Sequence, residues 1–203
     1  MLYLTGSLPS KPETLALLRT VPVGLMATPL SGYAIDTIAQ WTWAADNGCF
    51  SAKWEPTKWL AWLERNRGIS DCLFAAVPDV VGSHRETIAL WPRWFEQVRS
   101  LGYKAAFVAQ NGCSPFQVPW DTCDAVFLGG DDHFKLGIHA ERISAATKIH
   151  GKWLHMGRVN SFKRLKLAES WGCDSVDGTF LAFGPDGNTQ RLLSWFDKLS
   201  IGG

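Results

Sequence analysis

Four short stretches of the chain place an acid or an amide where a run of strand character gives way to a loop. They are Ala44-Ala45-Asp46-Asn47-Gly48, Val77-Pro78-Asp79-Val80-Val81-Gly82, Val108-Ala109-Gln110-Asn111-Gly112 and Asp174-Ser175-Val176-Asp177-Gly178-Thr179. Carboxylates can serve as nucleophiles and as proton carriers, and a carboxamide both donates and accepts hydrogen bonds. If these runs are parallel strands of one barrel, Asp46, Asp79, Asp177 and Gln110 line a single pocket, because reactive groups gather at the carboxyl ends of such strands. A lone Asp after a strand is ordinarily a turn or cap residue. Recurrence at four strand ends, with Gly48, Gly112 and Gly178 beside three of them, points instead to a site that a flat ligand can approach closely. Asp174 lies before its strand end and is read as structural.

The elements that must position these groups read as eight strand-helix units. Strand runs begin near Leu2, Val23, Thr42, Leu73, Ala105, Ala125, Trp153 and Ser175. Pro12 to Arg19, Thr57 to Arg67, Arg85 to Leu101, Ala140 to Ile149, Phe162 to Trp171 and Thr189 to Leu199 carry apolar residues at helical spacing with charges between them. Gly68, Gly102, Gly151 and Gly172 supply helix stops. Strands alternating with helices predict a parallel sheet, and eight units favour a compact single-domain (β/α)₈ barrel over residues 1–203. At 203 residues the barrel is lean against the typical length of about 250. The second unit, with only Gly32 to Gln40, and the fifth, broken by Pro115 and Pro119, are the weakest, and an open doubly wound sheet is the fallback.

With 46% hydrophobic and 19% charged residues the chain can bury a full core. No apolar run reaches the roughly 20 residues of a membrane helix, and Met1-Leu2-Tyr3-Leu4 has neither basic flank nor long apolar region, so neither a membrane nor a signal peptide is expected. Five scattered cysteines, never spaced Cys-x-x-Cys, read as reduced thiols of a cytoplasmic protein with no metal framework. A net charge of +1 carries no global nucleic-acid signature. Eleven tryptophans invite a base-stacking surface, but Trp59, Trp62, Trp91 and Trp94 sit three apart on helices and are expected to pack against the barrel. Trp41 and Trp43, flanking the first acidic strand end, are the expected pocket tryptophans. One local basic segment, Gly157-Arg158-Val159-Asn160-Ser161-Phe162-Lys163-Arg164, follows strand seven and opens a helix, where barrels bind phosphate. Asn160 or Ser161 can cap there, while Arg158, Lys163 and Arg164 add positive charge. The competing reading is an ordinary cap before a solvated basic face. His155 reads as a packed histidine that can touch substrate, the other four histidines have no metal-like spacing, and Asp131 and Asp132 read as a solvated loop.

Asp46-x-Gly-x-Phe50, Pro78-Asp-Val80, Val108-x-Gln-x-Gly112, Leu128-Gly-Gly130 and Gly172-x-Asp-x-x-Asp177, in that order, resemble the guanine transglycosylase superfamily, whose queuine and archaeosine members act on tRNA. The match runs from Asp46 to Thr179. That family has a (β/α)₈ barrel and swaps guanine in a nucleic acid for a 7-deazaguanine without a cofactor. Carried onto this sequence, the resemblance implies that Asp177 is the nucleophile, that Asp46 is the acid and base, and that Asp79, Gln110 and the Gly129-Gly130 backbone read the base. A carboxylate attacking an anomeric carbon gives a glycosyl ester that a second base can displace with retention.

The sequence also departs from the family. The cysteine that usually follows the nucleophile is Gly178, Asp-Ser-Gly-Gly-Phe has become Asp46-Asn47-Gly48-Cys49-Phe50, and the chain ends 26 residues past Asp177 without the Cys-x-Cys-x-x-Cys zinc module of tRNA-acting members. It is most similar to the DpdA family, phage and bacterial enzymes that insert 7-deazaguanines such as 7-cyano-7-deazaguanine into DNA. The implied partners are DNA, with the target guanine flipped or single-stranded, and a free 7-deazaguanine base. The alternatives are a tRNA-guanine transglycosylase, an N-glycoside hydrolase on the same barrel, and a non-catalytic nucleic-acid-binding subunit.

Overall fold

Each of the eight apolar runs becomes a strand: β1 (Leu2–Thr5), β2 (Val23–Ala27), β3 (Trp43–Ala45), β4 (Cys72–Ala76), β5 (Ala105–Ala109), β6 (Ala125–Leu128), β7 (Trp153–Met156) and β8 (Ser175–Gly178). In this computed structural model, which describes residues 1–51 and 54–201, the strands pair in parallel in sequence order. β8 closes on β1 from Leu2↔Ser175 to Thr5↔Gly178, which removes the open-sheet alternative. The helices are α1 (Pro12–Leu18), α2 (Ile35–Ile38), α3 (Pro56–Arg65), α4 (His84–Ser100), α5 (Asp132–Lys135), α6 (Ile138–Ile149), α7 (Phe162–Ser170) and α8 (Pro185–Ile201). α1 and α3 begin with proline, which lacks only an N–H that the first turn leaves unpaired anyway. α4 and α7 are capped by Ser83 and Ser161, whose hydroxyls accept from Glu86 N and Arg164 N.

The two weak units are short for the expected reasons. The second carries only α2, four residues long. After β5 the prolines permit one 3-10 turn, Pro115–Gln117, and the chain returns along the barrel with Trp120 stacked on His150 at 4.3 Å. α5 was not foreseen; it is a single turn between β6 and α6 whose start is capped by Asp131 accepting from Phe134 N at 2.8 Å.

Alternation along the strands divides the core into two shells. Tyr3, Leu25, Trp43, Phe107, Val126, Leu154 and Val176 face the helices, while Leu4, Met26, Ala44, Phe74, Ala106 and Ala125 face the barrel axis with Phe127 and Trp153. Three alanines among the inner residues leave room for three rings. Phe74, Phe127 and His155 meet there, with His155 at 5.2 Å from Phe74 and 4.5 Å from Phe127. The expectation for Trp41 and Trp43 fails on this alternation. Trp43 is three residues before the inward-facing Asp46, so it points outward, meets Trp62 and Tyr103 edge to face, and donates to Ser70 O. Trp41 is buried against Arg19. Trp59 and Trp94 pack on each other at 6.4 Å, as helix-to-barrel tryptophans should.

Candidate active site

Because alternate residues face the axis, the inward positions just beyond the strand ends are Asp46 after β3, Gln110 after β5, Gly129 after β6 and Gly157 after β7, with Asp177 near the end of β8. Asp79 arrives from the loop after β4. Together they line a cavity of about 270 Å³ at the carboxyl end of the barrel. The four expected polar groups therefore converge. A wider hollow at the opposite end, near Lys104, Lys152 and Asp124, is open and shallow, and its Asp124 is already held by Arg99 at 2.6 Å.

Asp79 is the centre of a polar lattice. Asn47 Nδ2 donates to its Oδ1 at 2.7 Å and to Val77 O at 3.0 Å, and Gln110 Nε2 donates to its Oδ2 at 2.6 Å. Gln110 Oε1 in turn accepts from Gly82 N at 2.9 Å, which fixes its amide the right way round. Burial raises the Asp79 pKa above the usual carboxylate value, and the two amide donors partly counter it. Both carboxylate oxygens are thus oriented before any ligand arrives, with lone pairs left over for the cavity. Asn47 was not singled out from sequence; its place directly after an inward Asp concealed a role in holding the next strand's acid.

Asp46 has the opposite electrostatics. Burial first, then the charge of Asp177, pushes its pKa up to about 7, against the pull of the Gly48 and Asn47 amides. A carboxyl group with that value can give and take a proton near neutrality. Asp177 is held from below: His155 Nε2 lies 2.9 Å from Asp177 Oδ1, and His155 Nδ1 lies 2.8 Å from Ser175 Oγ, which also accepts from Trp153 Nε1 at 2.8 Å. Burial lowers the His155 pKa, so the ring is neutral. A carboxylate only accepts, so the neutral His155 carries its proton on Nε2 and donates it to Asp177 Oδ1, which leaves Nδ1 to accept from the Ser175 hydroxyl. Asp177 lines the cavity, and its Oδ2 has no hydrogen-bond partner among the described residues. His155 faces inward two residues before Gly157, and strand alternation with Asp177 is the signal that identifies it.

The glycines act differently from the sequence expectation. Gly129 N donates to Ala109 O at 2.9 Å, so of the Gly129-Gly130 pair only the Gly130 N–H is without a backbone partner among the described residues. A Cβ on Gly178 would lie 2.4 Å from Asn160 Oδ1 and 2.5 Å from Tyr3 Oη, so this glycine admits protein atoms rather than a ligand. Gly48 and Gly112 adopt φ of 73° and 87°, and their place is explained by turn geometry.

The basic segment is divided. Arg158, at φ 59°, turns into the cavity, where its guanidinium donates to Gly130 O and lies 5.5 Å from the Phe50 ring. Arg164 is engaged with Asp132 at 2.5 Å and with Arg158 O at 3.2 Å. Ser161 is the cap of α7, Asn160 donates to Thr179 Oγ1 at 3.3 Å, and Lys163 is exposed. One cavity residue had no sequence signal: Lys135, at the end of α5, is 1% exposed and lines the pocket. Among the described residues, no cluster of three or more His, Cys, Asp or Glu has metal-site geometry, and no helix is long and apolar enough to cross a membrane.

No protein-family model matches the chain. No curated protein matches it either. Solved structures do. A native KDPGal structure is 14% identical and covers 97% of this chain and 91% of its own, with a TM-score of 0.56. A mutant tryptophan synthase α-subunit from Pyrococcus furiosus is 15% identical, covering 94% of this chain and 92% of its own at a TM-score of 0.57. A mandelate oxidase variant with benzaldehyde is 15% identical over 94% of this chain and 70% of its own, at 0.58. At these identities the likeness is one of fold. The chain is a (β/α)₈ barrel, and what it does must be argued from its cavity.

Proposed function

We propose that the protein is a base-exchange transglycosylase that replaces guanine in a nucleic acid, DNA by its resemblance to the DpdA family, with a 7-deazaguanine. The observation that carries this reading is the pairing in one cavity of an oriented carboxylate, Asp177, with a carboxyl group poised near neutrality, Asp46. Asp177 Oδ2 attacks the anomeric carbon, the bond to guanine N9 breaks, and its electron pair leaves with the base, which takes the Asp46 proton. The resulting glycosyl ester is attacked by the incoming base. Asp46 accepts that base's N–H proton, the new glycosidic bond forms, and Asp177 departs as a carboxylate. Two displacements give overall retention.

The lattice around Asp79 suits a guanine-type edge. A carboxylate with both oxygens fixed accepts from a ring N–H and an exocyclic amine, and the second N–H of Gln110 or the Gly130 N–H donates to the carbonyl. A base with the reverse pattern leaves these groups unpaired, which costs far more than a lost contact. The target nucleotide must leave the stack, because Asp177 lines a cavity at the carboxyl end of the barrel and cannot reach an anomeric carbon inside a duplex.

Labelled guanine offered with single-stranded DNA, double-stranded DNA and tRNA tests the proposal. Incorporation is expected in DNA and is lost in Asp177→Asn, which also traps no covalent adduct. Incorporation only into tRNA changes the polymer and keeps the chemistry. Release of base without incorporation makes the protein a hydrolase, and wild-type exchange by Asp177→Asn refutes the nucleophile.

A further inference from the structure

The cavity contains a cation that the proposed exchange does not use. Lys135 is 1% exposed, lines the pocket, and makes no ion pair or side-chain hydrogen bond to any described residue. Its placement is built into the chain. Gly130, at φ 71°, leaves room for the Phe134 ring, which a Cβ there would meet at 2.6 Å. Asp131 caps the single turn of α5, and Lys135 N donates back to Asp131 O at 2.9 Å. The turn therefore delivers Lys135 beside the Gly130 backbone, on the side of the cavity where Arg158 also enters. Burial and the neighbouring Arg158 lower its pKa to about 8, with Asp177 and Asp132 opposing, so the amine is protonated at neutral pH. A buried ammonium that lacks a partner is costly, and ordinarily is paired or shifted to neutrality. Here the missing partner has room to be a ligand.

The geometry points to Lys135 as a specificity-determining residue that takes a hydrogen-bond acceptor carried by the incoming base, such as a nitrile, amide or carboxylate, and excludes a cationic substituent. This rests on the transglycosylase reading above. With Asp79 and Gln110 holding the guanine-type edge after β4 and β5, Lys135, beyond β6, meets a different side of the base. Two cations on that side, Lys135 and Arg158, repel an aminomethyl group, and Asp132, the acid of the same loop, is bound to Arg164. An acceptor group satisfies the ammonium.

Competition between paired 7-deazaguanines decides the matter: one bearing a carboxamide or nitrile, the other an aminomethyl group. The readout is the ratio of their kcat/KM values within each protein, which is insensitive to how much of a variant folds. Wild type is expected to favour the acceptor-bearing base by roughly 10- to 100-fold, from the loss of a charge-assisted hydrogen bond and an added like charge. Lys135→Met should bring the ratio near unity, and Lys135→Glu should reverse it. Equal use of the two bases by wild type, or a ratio unchanged in Lys135→Met, overturns the assignment. Absence of exchange with every base and polymer, labelled guanine included, instead overturns the transglycosylase reading. The ratio of calorimetric Kd values for the same two bases, in wild type and Lys135→Met, then tests Lys135 on its own by the same criteria.

Discussion

Replacing Asp46 by Asn should make the protein more stable, and the gain should depend on pH. Burial and the charge of Asp177 carry the Asp46 pKa from 3.8 to about 7. Each unit of that displacement corresponds to about 1.4 kcal/mol. The folded state therefore keeps a proton on Asp46 that the unfolded chain releases near pH 4. Between about pH 4 and pH 7 the folded state binds more protons than the unfolded one, so this group lowers stability as pH rises across that window. Above it, wild type carries a penalty of at most about 4 kcal/mol, which relaxation and water entry reduce; a gain of about 2–3 kcal/mol for Asp46→Asn at pH 8 is expected. Asparagine has nearly the same shape, keeps an oxygen for the Gly48 and Asn47 amides, and has no charge to desolvate. For a domain of this size the gain corresponds to a Tm increase of roughly 4–12 °C. At pH 4 Asp46 is neutral in the folded state and ionised in only about half of the unfolded chains, so the difference should shrink to under about 1 kcal/mol. Thermal and urea unfolding at pH 4, 6 and 8 measure the difference between variant and parent, in which the other titrating groups cancel. Equal stability at pH 8, or a gain of the same size at pH 4, refutes the account of Asp46 as a strained neutral acid. The stabilised variant should also have lost base exchange, the usual cost of relieving a functional site.

Other consequences follow from individual contacts. His155→Leu removes the donor to Asp177 Oδ1 and should lower kcat by roughly 10- to 100-fold, the worth of one hydrogen bond to a charged group. His155→Gln can still offer an N–H and should recover part of the loss with little change in KM; equal defects in both variants would argue that His155 is only packing. Gly178→Ala drives a methyl into Asn160, Tyr3 and the Val159 carbonyl and should cost about 1–3 kcal/mol in urea unfolding, whereas a neutral effect would mean that the β7 and β8 loops yield freely. Lys163→Ala should reduce the salt slope of DNA binding by about one unit, and Arg164→Ala by less because Asp132 already engages that guanidinium, an ordering that titrations between 50 and 200 mM salt measure.

The sequence by itself determined a parallel sheet of eight strand-helix units and favoured its closure into a barrel, because eight apolar runs of strand length alternate with amphipathic helices that cover both faces. The pairing of β8 with β1 decided closure over the open doubly wound sheet. Even the faults were legible, since Pro115 and Pro119 allow only a 3-10 turn after β5 and Gly32 to Gln40 permits only four helical residues. Asp46, Asp79, Gln110 and Asp177 were legible too, because a position at a strand's carboxyl end is local information and the fold turns it into convergence. Facing direction was lost where local proximity stood in for alternation: Trp43 lies beside the acids in sequence but on the opposite side of the sheet. Only the tertiary structure decided which groups hold which. Asn47 supports Asp79 from the neighbouring strand end, and His155 reaches Asp177 across the β7–β8 pairing. Gly129 gives its N–H to the sheet, and Arg158 turns inward through a left-handed backbone. Lys135 is the clearest case. In sequence it is one more lysine after two aspartates and a histidine, and only the short turn of α5, closing over Gly130, buries its amine in the cavity, where burial and neighbouring charge give it a chemistry that no local pattern encodes.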